Sequence, residues 1–220
     1  MISQLDKAFR LPAVLVSVVC LLISAETAVF AGEPAGILLY HRDGDKVFVL
    51  LANDSKGTRG WSGFGGGADN GESLRDTAAR ETEEETRGYF SRTWLAEQIA
   101  YQEPHSSRGF HMYFVEVPFV PAQRVMNSPV EGHQAAMKET QFYAWVPFSE
   151  LERALANDNP SAEDLKMNAL YIPRGCKAHS FWRVWILNMR DAHKQGVFPW
   201  NQDKTGTEQN GAPDADKLRQ

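Results

Sequence analysis

Residues 66–85 read GGADNGESLRDTAARETEEE, a glycine-rich turn that runs into a stretch of helix formers free of glycine and proline. The apolar spacing predicts a helix over residues 73–87, with Leu74, Ala78 and Thr82 directed inward. Glu81, Glu84 and Glu85 then share one face, because helical positions three and four apart lie about 5–6 Å from each other at Cβ. Like charges so placed destabilise a helix by about a few tenths of a kcal/mol per pair. A hard divalent cation held by carboxylate oxygens would remove that penalty and supply a catalytic charge. Glutamate- and arginine-rich helices are ordinarily solvated faces. Here the glycine turn, the upstream Glu72 and the Arg80–Glu81 pair at fixed spacing favour a metal site instead.

The stretch resembles the signature of the Nudix hydrolases, G-x5-E-x7-R-E-U-x-E-E-x-G-U, with U an aliphatic residue. Gly66, Glu72, Arg80, Glu81, Glu84 and Glu85 fall on it in register within residues 66–88. Two positions depart: Thr82 stands at an aliphatic position, and Arg87 occupies the final glycine position with Gly88 after it. Glycine commonly ends a helix in the left-handed conformation, so Gly88 is expected to close this one a residue late. The resemblance is strong over about twenty-five residues and weaker over residues 35–189.

The resemblance implies an α/β fold, a single-domain α/β/α sandwich with a mixed β-sheet. It implies hydrolysis of a phosphoanhydride in a nucleoside diphosphate linked to another group. Glu81, Glu84 and Glu85 would hold Mg2+ or Mn2+, with Glu84, Glu85 and Arg80 as catalytic residues and Arg80 oriented by Glu72. A further acid often comes from a later loop; of Glu131 and Glu139, Glu139 is preferred. Gly66, Glu72, Trp61 and Phe64 are candidate substrate-binding residues. The last two are aromatics in a polar loop beside the metal site, where base stacking is available. Pro104 lies near the position of a proline in ADP-ribose-type members, which points to an ADP-ribose-like substrate. The alternative is a Nudix-like module that binds a nucleotide or a protein without cleaving it, motivated by Thr82 and Arg87.

Around the motif, residues 36–41 and 46–52 read as a β-hairpin joined by Arg42-Asp43-Gly44-Asp45, and residues 53–65 as a polar loop. A short helix is expected over 93–100, strands over 109–117 and 141–146, and a helix near Ser149 opened by a Ser149–Glu152 capping box. A last helix spans residues 179–194, where Phe181, Trp182, Trp185, Ile186 and Met189 form a stripe that docks on the sheet. Strands and helices interleave without a strict βαβ repeat, which favours a mixed sheet between helical layers. The histidines show no ligand spacing, and there is no zinc-type motif.

The ends are of different material. Residues 1–31 carry Lys7 and Arg10, an apolar run over 11–23, and Val29 and Ala31 at signal-peptidase spacing. They read as a signal peptide whose removal leaves Gly32 first. The run is short for a span of about 20 residues, although an uncleaved leader would anchor the protein to a membrane. Export to a periplasmic or extracellular space is therefore expected. Residues 201–220 are polar and read as a disordered tail, which leaves residues 32–200 as one domain. The net charge is -5 and no basic stretch occurs, which argues against nucleic-acid binding while allowing a phosphorylated small molecule at a bound cation. Loss of the leader removes Cys20 and leaves Cys176 without an intramolecular partner.

Overall fold

The computed structural model describes residues 32–54, 59–129 and 140–201. The expected leader, the tail after Asn201, and Glu131, His133 and Glu139 lie outside the described residues. No helix among the described residues is long and apolar enough to cross a membrane.

Strands β1 (Ala35–Asp43) and β2 (Lys46–Asp54) form the expected antiparallel hairpin, pairing Tyr40 with Val49. Strand β3 (Phe64–Gly66) pairs antiparallel with the first residues of β1. Helices α1 (Leu74–Glu85) and α2 (Arg92–Gln98) follow, then strands β4 (His105–Ser107) and β5 (Phe110–Glu116). Helix α3 (Ala122–Met126), strand β6 (Thr140–Pro147), helix α4 (Phe148–Ala156) and helix α5 (Arg183–Gln195) complete the order. The sheet runs β4-β5-β1-β2-β6, with β3 beside β1. The β1–β5 pair is parallel and the other pairs are antiparallel, so the sheet is mixed.

Alternation along β1 divides the interior in two, because successive side chains of a strand face opposite sides of the sheet. Leu38 and Tyr40 join a cluster with Leu151 of α4 and Trp185, Ile186 and Met189 of α5. Ile37 and Leu39 join another with Ala78 and Ala79 of α1 and Leu95 of α2. Two helical layers thus enclose one sheet, the expected α/β/α sandwich. Helix α1 turns Thr77, Ala78, Ala79 and Thr82 inward, small residues that let its backbone approach β1 and β3 closely; Leu74 is only partly buried.

Several boundaries differ from the sequence reading. The capping box at Ser149 does not form, because the helix begins at Phe148 directly after Pro147 and no side chain caps it. Proline's fixed φ already suits a helix entrance, and Ser149 falls inside the first turn. The last helix begins at Arg183 because the residues before it are held extended. Trp61 N–H donates to Ser180 O, Trp182 N–H to Trp61 O, and Phe181 N–H to Leu165 O. Strand β3 emerges from what reads as loop, since its pairing with β1 is non-local.

Candidate active site

Helix α1 begins where its sequence asks it to. Ser73 is the N-cap, its Oγ accepting from the Asp76 N–H at 3.1 Å. Its other end corrects the expected closure at Gly88. Arg87 N–H donates to Glu84 O at 3.1 Å and Gly88 N–H to Glu83 O at 2.7 Å, the paired bonds of a Schellman motif. The left-handed position that ends the helix is therefore Arg87 itself, at φ 57°, followed by Gly88 at φ 72°. Arginine holds the conformation for which the signature uses glycine. The helix ends at the usual residue, so the last glutamates keep their place.

Arg80 organises the acidic face. Its Nε donates to both oxygens of Glu72, at 3.0 and 3.1 Å, and its Nη2 to Gly67 O at 2.7 Å. Its Nη1 lies 3.0 Å from Glu81 and 3.2 Å from Glu84. One guanidinium thus ties the glycine turn, Glu72 and two of the three clustered carboxylates together. The third, Glu85, accepts from the Gly65 N–H at 2.7 Å, and its backbone carbonyl accepts from Tyr143 Oη at 2.6 Å. Glu72 also accepts from the Asp69 N–H, Thr77 Oγ1 and Arg92. Both oxygens of Glu72, expected as a substrate contact, are thus engaged inside the protein.

The electrostatics separate the two acids on either side of Arg80. Burial works to raise Glu72, but bonds from Arg80 and the Asp69 N–H outweigh it and hold this carboxyl below its usual range. Glu81 moves the other way: burial raises it against the pull of Arg80, and the negative charges of Glu84 and Glu72 add to the rise. Glu81 and Glu84 are each about one-sixth exposed, at 17% of the side chain. Gly66 makes room for Glu81, since a Cβ at that glycine would sit 2.4 Å from its Oε2.

Among the described residues no three acidic, His or Cys side chains are already gathered as a ligand cage. Arg80 accounts for this by drawing Glu81 and Glu84 onto its Nη1, while the Gly65 N–H draws Glu85 aside. The donor set still fits a hard divalent cation. It offers carboxylates from a single helix face, one of them desolvated and crowded by its acidic neighbours, with Arg80 positioned to hold the ligands in place.

Beside this face opens a cavity of about 330 Å3, bounded by Glu85, the backbone of Gly65–Gly67, and the aromatic residues Phe110, Trp182 and Trp185. Arg59 lies over the Trp182 ring at 5.2 Å. Of the two aromatics expected here, Phe64 lines the cavity and Trp61 does not. Trp61 has no exposed surface, and its Nε1 donates to Ala178 O at 3.0 Å. Phe64 is 1% exposed and packs in the other cluster, its ring 6.5 Å from Tyr143. Both are buried, Phe64 with its edge at the cavity wall, because the loop that carries them pairs with β2 through the Ala52–Ser62 bridge and with the segment before α5. Trp182 and Trp185 join Phe64 beside Glu85. Their spacing reads only as a docking stripe, and about a hundred residues of sequence separate them from the motif. Pro104 lines a different depression, together with Glu103, His105 and Gln195, so it is no guide to this cavity.

The family model of the NUDIX domain matches residues 32–167. No curated protein matches the chain. Among solved structures, a C. elegans Ap4A hydrolase in a binary complex is 19% identical, with 75% of this chain and 98% of that one covered at a TM-score of 0.39. A mutT/nudix family protein from Listeria innocua is 15% identical, covering 80% and 97% at 0.40. A MutT/nudix family protein from Enterococcus faecalis is 16% identical, covering 76% and 62% at 0.39. With the family match spanning most of the chain and Arg80 joining Glu72, Glu81 and Glu84 of the signature, the chain belongs to the Nudix family of pyrophosphohydrolases.

Proposed function

We propose that this protein hydrolyses a phosphoanhydride bond in a nucleoside diphosphate linked to another group, with Mg2+ or Mn2+ as cofactor. The observation that carries the reading is adjacency: Glu85 and the Gly65–Gly67 backbone belong both to the acidic face and to the wall of the aromatic cavity. A substrate with its aromatic end in the cavity would present its phosphates to the carboxylates.

Glu81, Glu84 and Glu85 would hold the cation, which when bound neutralises phosphate charge and acidifies water. Arg80 keeps Glu81 and Glu84 together, and Glu72 keeps Arg80 in place. The Gly65 N–H orients Glu85. Glu139 is proposed as the later-loop acid that assists proton removal. Export behind the leader is part of the same proposal, and amino-terminal sequencing that starts at Gly32 would support it.

The test is turnover of nucleoside diphosphate derivatives, ADP-ribose among them, with Mg2+ or Mn2+. Glu84→Gln and Glu85→Gln are expected to abolish turnover while the fold survives. Full activity in both variants would overturn the assignment; tight binding without cleavage by the wild type would make the protein a binding module.

A further inference from the structure

Two polar groups in the wall of the Glu85 cavity are left without hydrogen bonds. Trp185 is 3% exposed and Asn188 8%, yet Trp185 Nε1 and Asn188 Oδ1 have no partner among the described residues. An orphaned buried donor or acceptor bears its desolvation penalty with nothing in return. Both residues line the cavity and stand one turn apart on α5, the spacing that puts side chains on a common face. Gly63 packs against the indole edge, where a Cβ would lie 3.2 Å from Trp185 Nε1, and leaves the ring room to turn. The other walls are aromatic, from Phe110 and Trp182. The cavity wall thus holds one N–H donor and one carbonyl acceptor between flat apolar surfaces; both atoms are covered as the side chains stand, so a ligand must turn them outward to reach them.

We propose that Trp185 and Asn188 read the edge of a nucleobase, so that α5 sets the base specificity of the substrate; this rests on the hydrolase reading above. A nucleobase matches each feature: a flat ring for Phe110 and Trp182, an edge acceptor for the Trp185 N–H, and an adjacent ring or amino N–H for Asn188 Oδ1. A lipid chain would leave the two orphaned groups unmatched. Selectivity of this kind comes from the polar groups, because a base without the right edge leaves them unpaired.

The experiment adds adenosine, guanosine, cytidine or uridine to the 15N-labelled full chain and follows the tryptophan indole N–H resonances. Trp185→Phe, which removes the N–H and keeps a ring, identifies the Trp185 signal. At least one nucleoside is expected to shift that signal. Trp185→Phe and Asn188→Leu are each expected to weaken its binding roughly three- to tenfold, as the loss of one neutral hydrogen bond does. A Trp185 signal unmoved by all four nucleosides, or equal binding by wild type and both variants, would overturn the proposal. Nucleosides contain no phosphoanhydride, so this outcome is separate from turnover. A shift without hydrolysis would sustain the base reader and sink the hydrolase; hydrolysis without a shift would do the reverse.

Discussion

Gly66 is the floor under Glu81: the Oε1 and Oε2 atoms of that carboxylate come within 2.6 and 2.4 Å of where a Cβ on Gly66 would be. The obstructed atoms are the far end of a flexible side chain, so Gly66→Ala can be absorbed by swinging Glu81 aside. The fold should survive, and divalent-metal affinity should fall about 10–100-fold, the usual cost of disturbing a ligand's support. Calorimetric titration with Mn2+, read beside the melting temperature, checks this. Unchanged metal affinity would show that Glu81 is not a ligand in the position it occupies here.

Arg87 pays for a left-handed backbone that glycine would adopt freely, and its Nε is buried with no hydrogen-bond partner among the described residues. The conformation costs a non-glycine residue roughly 1–2 kcal/mol, offset in part by the larger unfolded-state entropy of glycine. Arg87→Gly should therefore stabilise the protein by up to about 1 kcal/mol, or about 2–4 °C for a domain of this size. Thermal unfolding decides it. A lower melting temperature would mean that packing of the Arg87 side chain outweighs the strain.

Tyr143 carries the hydrogen bond that closes α1 against β6, from its hydroxyl to Glu85 O. Burial raises the pKa of this hydroxyl, so it remains a donor throughout the physiological range. Tyr143→Phe leaves the carbonyl without that donor, at a cost of about 1–3 kcal/mol. Denaturant unfolding should register the loss, with a smaller fall in turnover as Glu85 loosens. A neutral effect on stability would show that another donor replaces the hydroxyl.

The two acids flanking Arg80 give opposite pH signatures. Glu72 is held below its reference value of 4.5, so its stabilisation is complete above that pH and is lost as pH falls through the folded-state value. Glu81 is raised above 4.5; its ionised form detracts from stability above the raised value, and acid relieves the penalty as pH falls through it. Glu72→Gln should lower the melting temperature at pH 7 and flatten the acid limb. Glu81→Gln should raise the melting temperature of the metal-free protein at pH 7 while weakening metal binding. Melting curves between pH 3 and pH 8 test both signs, and parallel curves for the two variants would contradict them.

Trp61 separates core from site. Because the ring is fully buried and bonded to Ala178 O, Trp61→Ala should cost about 3–5 kcal/mol of stability. Trp182→Ala, at the cavity, should instead raise KM with a smaller stability change. Reversed effects in unfolding and steady-state kinetics would restore Trp61 as a substrate contact.

The motif residues were legible because their information is local. The helix over residues 73–87, its carboxylates at helical spacing and the Arg80–Glu81 step all lie within about twenty residues, and helix geometry alone brings them together. The hairpin and β5 were legible for the same reason, since alternation and turn residues act over a few positions. Where the sequence reading failed, the deciding contact was distant. Trp61 looked like a loop aromatic until the segment before α5 bonded to it, and the Ser149 capping box was overridden by the helix starting at Phe148, directly after Pro147.

By itself, then, the sequence determined the acidic face, its single organising arginine and the family to which the chain belongs, because these rest on the pitch of one helix. The tertiary structure decided which surface faces that helix. Gly65–Gly67 from the β3 turn, Phe110 from β5 and Trp182, Trp185 and Asn188 from the far end of the chain meet at Glu85. They do so because β3 pairs with β1, β5 lies parallel to β1, and α5 docks on the opposite face of the sheet from α1. No local pattern encodes that meeting; the packing of two layers on one sheet does.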